Sequence, residues 1–400
     1  MASNHLGLSL ISASSKVMTD LYSRSSRRLL CVPKFWIEDG LLEQDLRKCK
    51  TQQDYLSLLS TPVCRICPFL ISFKRRLKLF ERIVTTNRKD IQGCNDQHNL
   101  RPGIMVKVNR GRVLEDGLAH LNKLGPNLRQ RIQICYLNEA GARESGIDIG
   151  GLFKEFWTDL SNLAFDLNYA LFKNTEGSLM YPNPSSKAAH GADHVVLFEF
   201  LGRILGKAIY EGITIKPTFA YLFLSFLRGD HSYLHLLTDL STIDPQLYSN
   251  LMFLKTFDGD MSDLCLTFTV TTDDFGVSEQ PLIANGSDIE VTNENKCRYI
   301  YLVAKYHVSD RIKEQSDAFT RGLWDVIDRS WLQLFNEPEL QVLISGASDG
   351  KIDIADMKSN ARYVGGYTMI DRNIVRFWNV VSSFSPKHQA DLLRFVTSCG

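Results

Sequence analysis

Gly146-Ile147-Asp148-Ile149-Gly150-Gly151-Leu152-Phe153-Lys154-Glu155-Phe156-Trp157 is the stretch on which the fold prediction rests. Its first half disfavours a helix, because glycine loses more conformational entropy on ordering than any other residue. From residue 152 onward, apolar side chains recur at helical spacing: Leu152, Phe153, Phe156, Trp157, Leu160, Leu163 and Ala164. The stretch therefore predicts a glycine turn that leads into an amphipathic helix over residues 151–166.

Two kinds of nucleotide-binding loop also use glycine turns, and the stretch matches neither. A phosphate-binding loop needs Gly-Lys-Ser/Thr, whereas Gly151 is followed by Leu-Phe-Lys-Glu. The dinucleotide fingerprint G-x-G-x-x-G is also absent. The residues favour a tight turn that packs the helix against its neighbours, and they predict no bound cofactor.

The composition is that of an ordinary globular protein. The 400 residues are 44% hydrophobic and 23% charged, and the net charge of +1 gives no general argument for nucleic acid or membrane binding. The nine cysteines are scattered and odd in number, which favours reduced thiols inside the cell over a disulfide framework. The longest apolar run, residues 217–227, is too short to span a membrane, and residues 1–16 lack the features of a secretory signal. We expect cytoplasmic and/or nuclear residence.

The apolar pattern divides the chain into five parts. Residues 1–90 predict a helical N-terminal segment, and the polar residues 91–103 predict a linker. Residues 104–347 alternate between strand and helix patterns, which predicts a large mixed domain. The small, polar stretch 348–351 predicts a hinge before a smaller unit, residues 352–400. The predicted fold class is α+β, mainly helical.

The large domain is predicted to contain both strands and helices, and one of its helices carries glycines on its face. The predicted elements are strands at 104–108 and 132–137, a helix at 114–124, a loop at 173–193, helices between 195 and 257, a hairpin at 264–281 and helices between 299 and 344. In the helix at 195–213, Gly202 and Gly206 would let another element approach closely. Gly212 is placed to end that helix.

A basic stretch covers residues 74–112, where eleven lysines and arginines stand against three acidic residues. Such a charge excess is found on RNA-binding, anion-binding and membrane-surface patches. It is also found on solvated helix faces, and the second half of the stretch lacks interleaved aromatic residues for base stacking. The residues favour the solvated face, and we expect no nucleic-acid partner.

The sequence contains candidate metal ligands and nucleophiles, but each lacks other residues that the corresponding site requires. The pairs His190/His194 and His231/His235 have i, i+4 spacing but lack the glutamate of a His-Glu-x-x-His site, and Cys64-x-x-Cys67 lacks a second pair. No G-x-S-x-G elbow is present. Cys399 is penultimate, and a reactive thiolate needs a shaped site around it. The residues therefore predict no metal site and no catalytic residue.

Several sequence blocks, in order, resemble the HECT domain of ubiquitin ligases. The resemblance covers about residues 104–400 and rests on the quoted stretch and on five groups of blocks: Phe200-x-Gly202-x-x-x-Gly206-Lys207-Ala208, Val291-Thr292-Asn293-Glu294-Asn295-Lys296, Leu334-Phe335-Asn336-x-Pro338-Glu339-Leu340-Gln341 with Leu343-Ile344-Ser345-Gly346, Tyr363-x-Gly365-Gly366-Tyr367, and Phe395-Val396-Thr397-Ser398-Cys399. The upstream block Phe69-x-x-Ser72-Phe73-Lys74-Arg75-Arg76-Leu77-x-Leu79-Phe80 resembles the segment before this domain in the branch that includes plant members.

The resemblance implies a bilobal fold and a transfer activity. A large lobe (here 104–347) docks a ubiquitin-conjugating enzyme charged with ubiquitin, and a small lobe carries a cysteine that accepts ubiquitin as a thioester before passing it to lysines of protein substrates. Thiolate suits both steps, because it is a good nucleophile and a good leaving group. By the same resemblance, a docking subdomain at about 215–300 presents an apolar groove built from Leu247, Leu251, Leu254, Phe257, Leu264, Leu266 and Tyr299.

The resemblance also implies that the family's catalytic cysteine, in a Thr-Cys-Phe/Met-Asn block, comes after the Phe-Val-Thr stretch. Cys399 matches a non-catalytic position, so we expect these 400 residues not to form the thioester and to hold an incomplete small lobe. The alternative hypothesis is a catalytically inactive binding module for conjugating enzyme or substrate.

Overall fold

The helix predicted from the quoted stretch is present as Gly151–Ala164, and it buries Phe156, Trp157 and Leu160 completely. The computed structural model describes residues 2–28, 30–38, 40–93, 103–138, 141–144, 151–230, 235–272, 278–346 and 354–397. The glycine turn at 146–150, His231, the predicted hinge at 348–351, most of the predicted linker and Cys399 lie outside these residues.

The described part of the chain is mainly helical, with three small two-stranded sheets. The helices are α1 Ala2–Arg28, α2 Glu43–Lys48, α3 Gln52–Leu59, α4 Pro62–Ile66, α5 Phe73–Gln92, α6 Val113–Leu121, α7 Gly151–Ala164, α8 Ser186–His190, α9 His194–Glu211, α10 Tyr221–Arg228, α11 Leu236–Ile243, α12 Pro245–Thr256, α13 Lys296–Val308, α14 Lys313–Val326, α15 Arg329–Leu332, α16 Glu337–Ser345, α17 Ile354–Asn360, α18 Arg372–Ser383 and α19 Pro386–Thr397. The strands are β1 Ile104–Asn109, β2 Ile132–Leu137, β3 Phe172–Asn174, β4 Met180–Pro182, β5 Thr269–Thr272 and β6 Ser278–Pro281. The α+β, mainly helical prediction is confirmed.

The two longer strands, β1 and β2, form a parallel pair with Val106 opposite Ile134. α6 connects them and packs against α7 where Gly117 lies beside Leu160. The predicted helix at 114–124 ends earlier, at Leu121, and continues as a 3₁₀ helix through Gly125 (φ 49°) and Pro126. Proline lacks the N–H that would extend an α-helix, and the positive φ of Gly125 redirects the chain.

The centre of the large domain is the crossing of α9 and α14. A Cβ added to Gly202 would overlap the carbonyl oxygen of Phe319, and one added to Gly322 would overlap the carbonyl oxygen of Glu199. Each helix therefore brings its backbone against the other at a glycine, as predicted for Gly202. Gly212 ends α9 in the left-handed conformation (φ 71°), also as predicted.

The segment at 173–193 is not a loop, contrary to prediction. It contains the antiparallel pair β3–β4 and the short helix α8. The buried Asn183 organises it by donating from its side chain to the Ala170 carbonyl oxygen (2.7 Å). Its strands of three residues are too short to show a period-two pattern, and its Pro, Ser and Asn content is typical of loops.

The helical N-terminal segment is joined to the large domain by buried ion pairs. Arg76 on α5 is 3% exposed and donates to both carboxylate oxygens of Glu339 at 2.6 Å. Glu339 also completes the capping box that starts α16 at Asn336. From α1, Arg27 reaches Asp239 at 2.5 Å. These contacts tie α1 and α5 to α11 and α16.

The last described residues, 354–397, form α17, α18 and α19 and pack sparsely. Only Trp378 and Val381 are buried among the described side chains of this part, and the Trp378 indole N–H donates to the Tyr363 hydroxyl (2.9 Å). Phe395 and Ile370 are more than 80% exposed. In the part of the chain that the structure describes, no helix is both long and apolar enough to cross a membrane.

Candidate functional site

The candidate site is a groove between α12, α13 and the β5–β6 hairpin. α12 begins at Pro245, and the Asp244 carboxylate caps it by accepting the Leu247 N–H (2.9 Å). A proline in the first turn and an aspartate at the N-cap favour a helix start at this point. α12 and α13 both pack against α11, which fixes the separation of the two helices.

The block Val291–Lys296 holds the two ends of the groove together. The Lys296 ammonium donates to the Phe257 carbonyl oxygen (2.8 Å), and the Asn293 amide donates to the Gly259 carbonyl oxygen (3.2 Å). Asn295 accepts the Thr292 N–H (2.8 Å) at the start of α13. The polar residues of this block therefore fasten the chain after α12 to the beginning of α13.

The groove has a volume of about 660 Å³ and is lined mainly by apolar and threonine side chains. Five of the seven predicted residues line it: Leu247, Leu251, Leu254, Leu266 and Tyr299. On α12 the three leucines are spaced at i, i+4 and i+7, so they lie on one face of that helix. The structure thus places these five residues together, around one depression.

The predicted residues differ in exposure. Leu251 is 2% exposed and Tyr299 is 9% exposed, so both form the floor of the groove. Burial raises the pKa of the Tyr299 hydroxyl, and the Phe268 ring packs against the Tyr299 ring edge-to-face at 5.6 Å. Leu247, Leu254 and Leu266 are half-buried and form its sides. Only the sides are available to a partner without rearrangement.

Phe257 and Leu264 do not line the groove. The Phe257 ring lies over Gly259 and 5.5 Å from the Phe253 ring, beyond the end of α12. Leu264 belongs to the 3₁₀ turn Met261–Leu264 and packs against the core.

Sequence reasoning missed several lining residues, and one of them is prominent. Phe253 lines the groove and is 57% exposed, an unusual state for a phenylalanine. Val303 and His307 also line it, in register with Tyr299 along α13. The i, i+4, i+8 spacing of these three residues was a signal that could have identified the second wall.

The side chains of His190 and His194 have other partners, and the second pair includes His231, which lies outside the described residues. His194 is 1% exposed, its Nδ1 lies 3.1 Å from the Ser186 hydroxyl, and burial lowers its pKa. The His190 Nε2 lies 2.5 Å from the Tyr169 carbonyl oxygen instead. Among residues placed by the structure, no group of three His, Cys, Asp or Glu side chains is arranged to hold a metal ion.

The basic stretch at 74–112 is divided between internal ion pairs and an exposed face. Arg76 is buried against Glu339, Arg88 lies 3.3 Å from Glu211, and Arg110 contacts Glu155 at 2.7 Å. These arginines connect elements of the protein to one another. Lys74, Lys78 and Arg82 are exposed.

Comparison with known proteins finds a matching family model and several similar proteins. The family described as HECT-domain (ubiquitin-transferase) matches residues 158–400. The chain is 41% identical over 336 residues to the E3 ubiquitin-protein ligase UPL6 of Arabidopsis thaliana, covering 83% of this chain and 32% of that protein. It is 36% identical over 388 residues to the ubiquitin-protein ligase E3B of Homo sapiens, covering 95% of this chain and 36% of that protein.

A probable E3 ubiquitin protein ligase of Schizosaccharomyces pombe is 38% identical over 334 residues, covering 83% of this chain and 32% of that protein. The chain thus spans about one third of the length of these curated relatives. The matched residues include the α9–α14 crossing, α12, α13 and the capping box at Asn336. The family match covers more than half of the chain and the identity extends over most of it, so this chain belongs to the HECT-domain (ubiquitin-transferase) family.

Proposed function

We propose that this chain serves ubiquitin transfer by docking a ubiquitin-conjugating enzyme in the groove between α12 and α13. The observation that carries the proposal is the exposed Phe253 beside the half-buried Leu247 and Leu254 in a depression of about 660 Å³. Such a site suits one or two apolar side chains of a partner loop. The family match and the ligase relatives supply the class of partner.

The groove itself offers binding, and the transfer chemistry belongs to a cysteine thioester by family resemblance. A thioester splits the acyl transfer into two steps. The ligase thiolate attacks the carbonyl of the ubiquitin thioester and displaces the conjugating enzyme's thiolate, and a lysine amine then attacks the new thioester and displaces the ligase thiolate. We propose this activity, with protein lysines as substrates, for the whole ligase to which the chain corresponds. Docking can be measured on these 400 residues without that chemistry.

The sharpest test of docking is Phe253→Ala. Its side chain is mostly exposed, so the substitution should leave the fold intact while removing an aromatic anchor. We expect the affinity for a ubiquitin-charged conjugating enzyme to fall at least about tenfold, equivalent to about 1.4 kcal/mol. The measurement is biolayer interferometry with the immobilised chain and a panel of charged conjugating enzymes.

Phe35→Ala is the matched control, because Phe35 is 70% exposed and lies in the N-terminal segment. Leu251→Ala and Tyr299→Ala should also weaken binding, but these residues are floor residues and need a thermal unfolding check. Unchanged affinity for Phe253→Ala, with binding by the parent chain, would refute the groove assignment.

A second readout tests whether these 400 residues form a ubiquitin thioester. The chain is mixed with charged conjugating enzyme, and a ubiquitin adduct that disappears on reduction is sought by gel electrophoresis. Docking without an adduct is the result expected of these 400 residues, whether they correspond to part of a ligase or act as a binding module. An adduct that is lost in Cys399→Ser would assign the thioester to Cys399 and contradict the expectation drawn from the sequence.

A further inference from the structure

A second groove, lined by residues between 43 and 82, is strongly basic. It is separate from the groove between α12 and α13, which we call the docking groove because of the function proposed for it. The second groove lies between α2, Tyr55 of α3 and α5, and it has a volume of about 500 Å³. Among the described residues, its charged lining consists of five cations and one carboxylate: Arg47, Lys74, Arg75, Lys78, Arg82 and Glu43. We call these residues the basic groove. The docking proposal makes no use of it.

The cations of the basic groove are unequally paired. Glu43 accepts from Arg47 at 2.6 Å and from Arg75 at 3.3 Å, so this carboxylate already has two arginine partners. Lys74, Lys78 and Arg82 make no ion pair with any residue that the structure describes. Glu81, on α5, also interacts electrostatically with Lys78 and Arg82. The five cations still outnumber Glu43 and Glu81, so the groove retains an excess of positive charge.

The three unpaired cations form a row along α5. Their spacing is i, i+4 and i+8, which places them on one face about 6 Å apart along the helix axis. Like charges at i, i+4 destabilise a helix by a few tenths of a kcal/mol for each pair. Glu81 on the same helix offsets part of this repulsion, and a bound anionic partner would relieve more of it.

The floor of the basic groove is partly apolar. Leu46 is half-buried, and Tyr55 is 6% exposed with its hydroxyl donating to the Cys49 carbonyl oxygen (3.2 Å). Asp54 lies nearby, but its carboxylate accepts the N–H groups of Lys50 and Thr51. The site therefore combines a hydrophobic strip with a cationic edge.

We propose that the basic groove binds an extended acidic segment of a partner protein. Alternate side chains of an extended peptide lie on one side about 6.6 to 6.8 Å apart. That spacing matches the row of Lys74, Lys78 and Arg82, so carboxylates at every second position meet successive cations. The residues between them face the opposite side or contact the half-buried Leu46. This proposal is independent of the docking groove.

The shape and lining favour a peptide over other anions. Single-stranded nucleic acid is held by exposed aromatic rings on which bases stack. Among the lining residues that the structure describes, the one aromatic side chain, Tyr55, is buried. A bilayer presents a flat charged surface, whereas these cations surround a depression. An acidic polypeptide satisfies both the charge and the concave form.

The test is fluorescence anisotropy with a labelled peptide of five alternating Glu-Ala units and the intact 400-residue chain. The triple variant Lys74→Glu, Lys78→Glu and Arg82→Glu should weaken binding at least about tenfold, and raising the salt concentration should weaken binding by the parent chain. The matched control reverses three exposed lysines elsewhere, Lys154, Lys173 and Lys387, and should change the affinity less than about twofold.

A charge swap keeps the proposal falsifiable if the first variant proves less stable. A Lys-Ala peptide should bind the Glu triple variant better than it binds the parent chain. The proposal is overturned if the two triple variants bind the acidic peptide equally. It is also overturned if a Gln-Ala peptide binds as tightly as the Glu-Ala peptide, or if an oligouridylate binds more tightly than the peptide through the same cations.

Discussion

His235 is a buried histidine whose protonation opposes folding. It is 7% exposed, its Nε2 lies 2.7 Å from the Ser23 hydroxyl, and burial together with the Arg27 cation lowers its pKa to about 4. In the unfolded chain its pKa is near 6.5. Between these two values the unfolded chain binds a proton that the folded chain does not, so the free energy of unfolding falls as the pH falls from about 6.5 to 4.

His235→Gln should lower the slope of the free energy of unfolding against pH in this range by up to about 1.4 kcal/mol per pH unit. Urea unfolding of both proteins across that pH range measures the difference, with the exposed His388→Gln as control. Burial raises the pKa of the neighbouring Asp239 from 3.8 to about 6. The contribution of Asp239 to the free energy of unfolding therefore falls as the pH rises between these two values. Because Asp239 is present in both proteins, it cancels in the comparison. Parallel curves for parent and His235→Gln would contradict the prediction.

Arg76 shows where reasoning from the sequence reaches its limit at this scale. Residues 1–90 were predicted to be helical, and α5 is a helix that buries Leu79, Phe80 and Ile83. The charge pattern of residues 74–112 favoured a solvated helix face for the arginines. Arg76 is instead buried, because its partner Glu339 lies 263 positions further along the chain. No local pattern contains that information.

At the scale of elements, the α9–α14 crossing depends on two glycines that no other residue can replace without displacement. Gly202 and Gly322 each lie against a carbonyl oxygen of the opposite helix. Gly322→Ala should destabilise the chain by about 1 to 3 kcal/mol, since the added methyl group forces the helices apart. The measurement is urea unfolding followed by circular dichroism.

Gly151→Ala is the matched control for that substitution. Gly151 is the first residue of α7, and an added Cβ would meet no atom within 4 Å. This variant should be neutral or slightly more stable, because alanine loses less conformational entropy than glycine in a helix. If both variants changed the free energy of unfolding equally, the crossing would tolerate separation of the helices.

Element prediction succeeded where a period extends over several turns, as in α7, whose Phe156, Trp157 and Leu160 are buried. The row Leu247, Leu251 and Leu254 on α12 came instead from the family resemblance, and it forms one wall of the groove between α12 and α13. Phe253 was missed because its exposure depends on how far α13 and the hairpin cover α12, which is a tertiary property. The β3–β4 hairpin was missed because three-residue strands carry no readable alternation.

The whole molecule combines a tightly packed body with a sparsely packed C-terminal part. α1 and α5 are connected to the large domain through Arg27 and Arg76, so the N-terminal segment and the large domain share one hydrophobic core. In residues 354–397 the described apolar side chains are largely exposed, with Val364 at 79% and Phe395 at 84%. Few buried contacts mean a small free energy of local opening.

Hydrogen exchange measured by mass spectrometry on the intact chain tests this contrast. The amides of α18 should exchange at least about 100-fold faster than those of α9, which corresponds to an opening free energy lower by about 2.7 kcal/mol. The amides of α5 provide the internal control, because that helix buries Leu79 and Ile83 in the shared core and should be protected like α9. Protection of α18 equal to that of α9 would mean that residues 354–397 gain stability from contacts other than the burial of their own side chains. Rapid exchange in α5 would contradict the single-core description, since the buried Arg76–Glu339 pair opens only when α5 separates from α16.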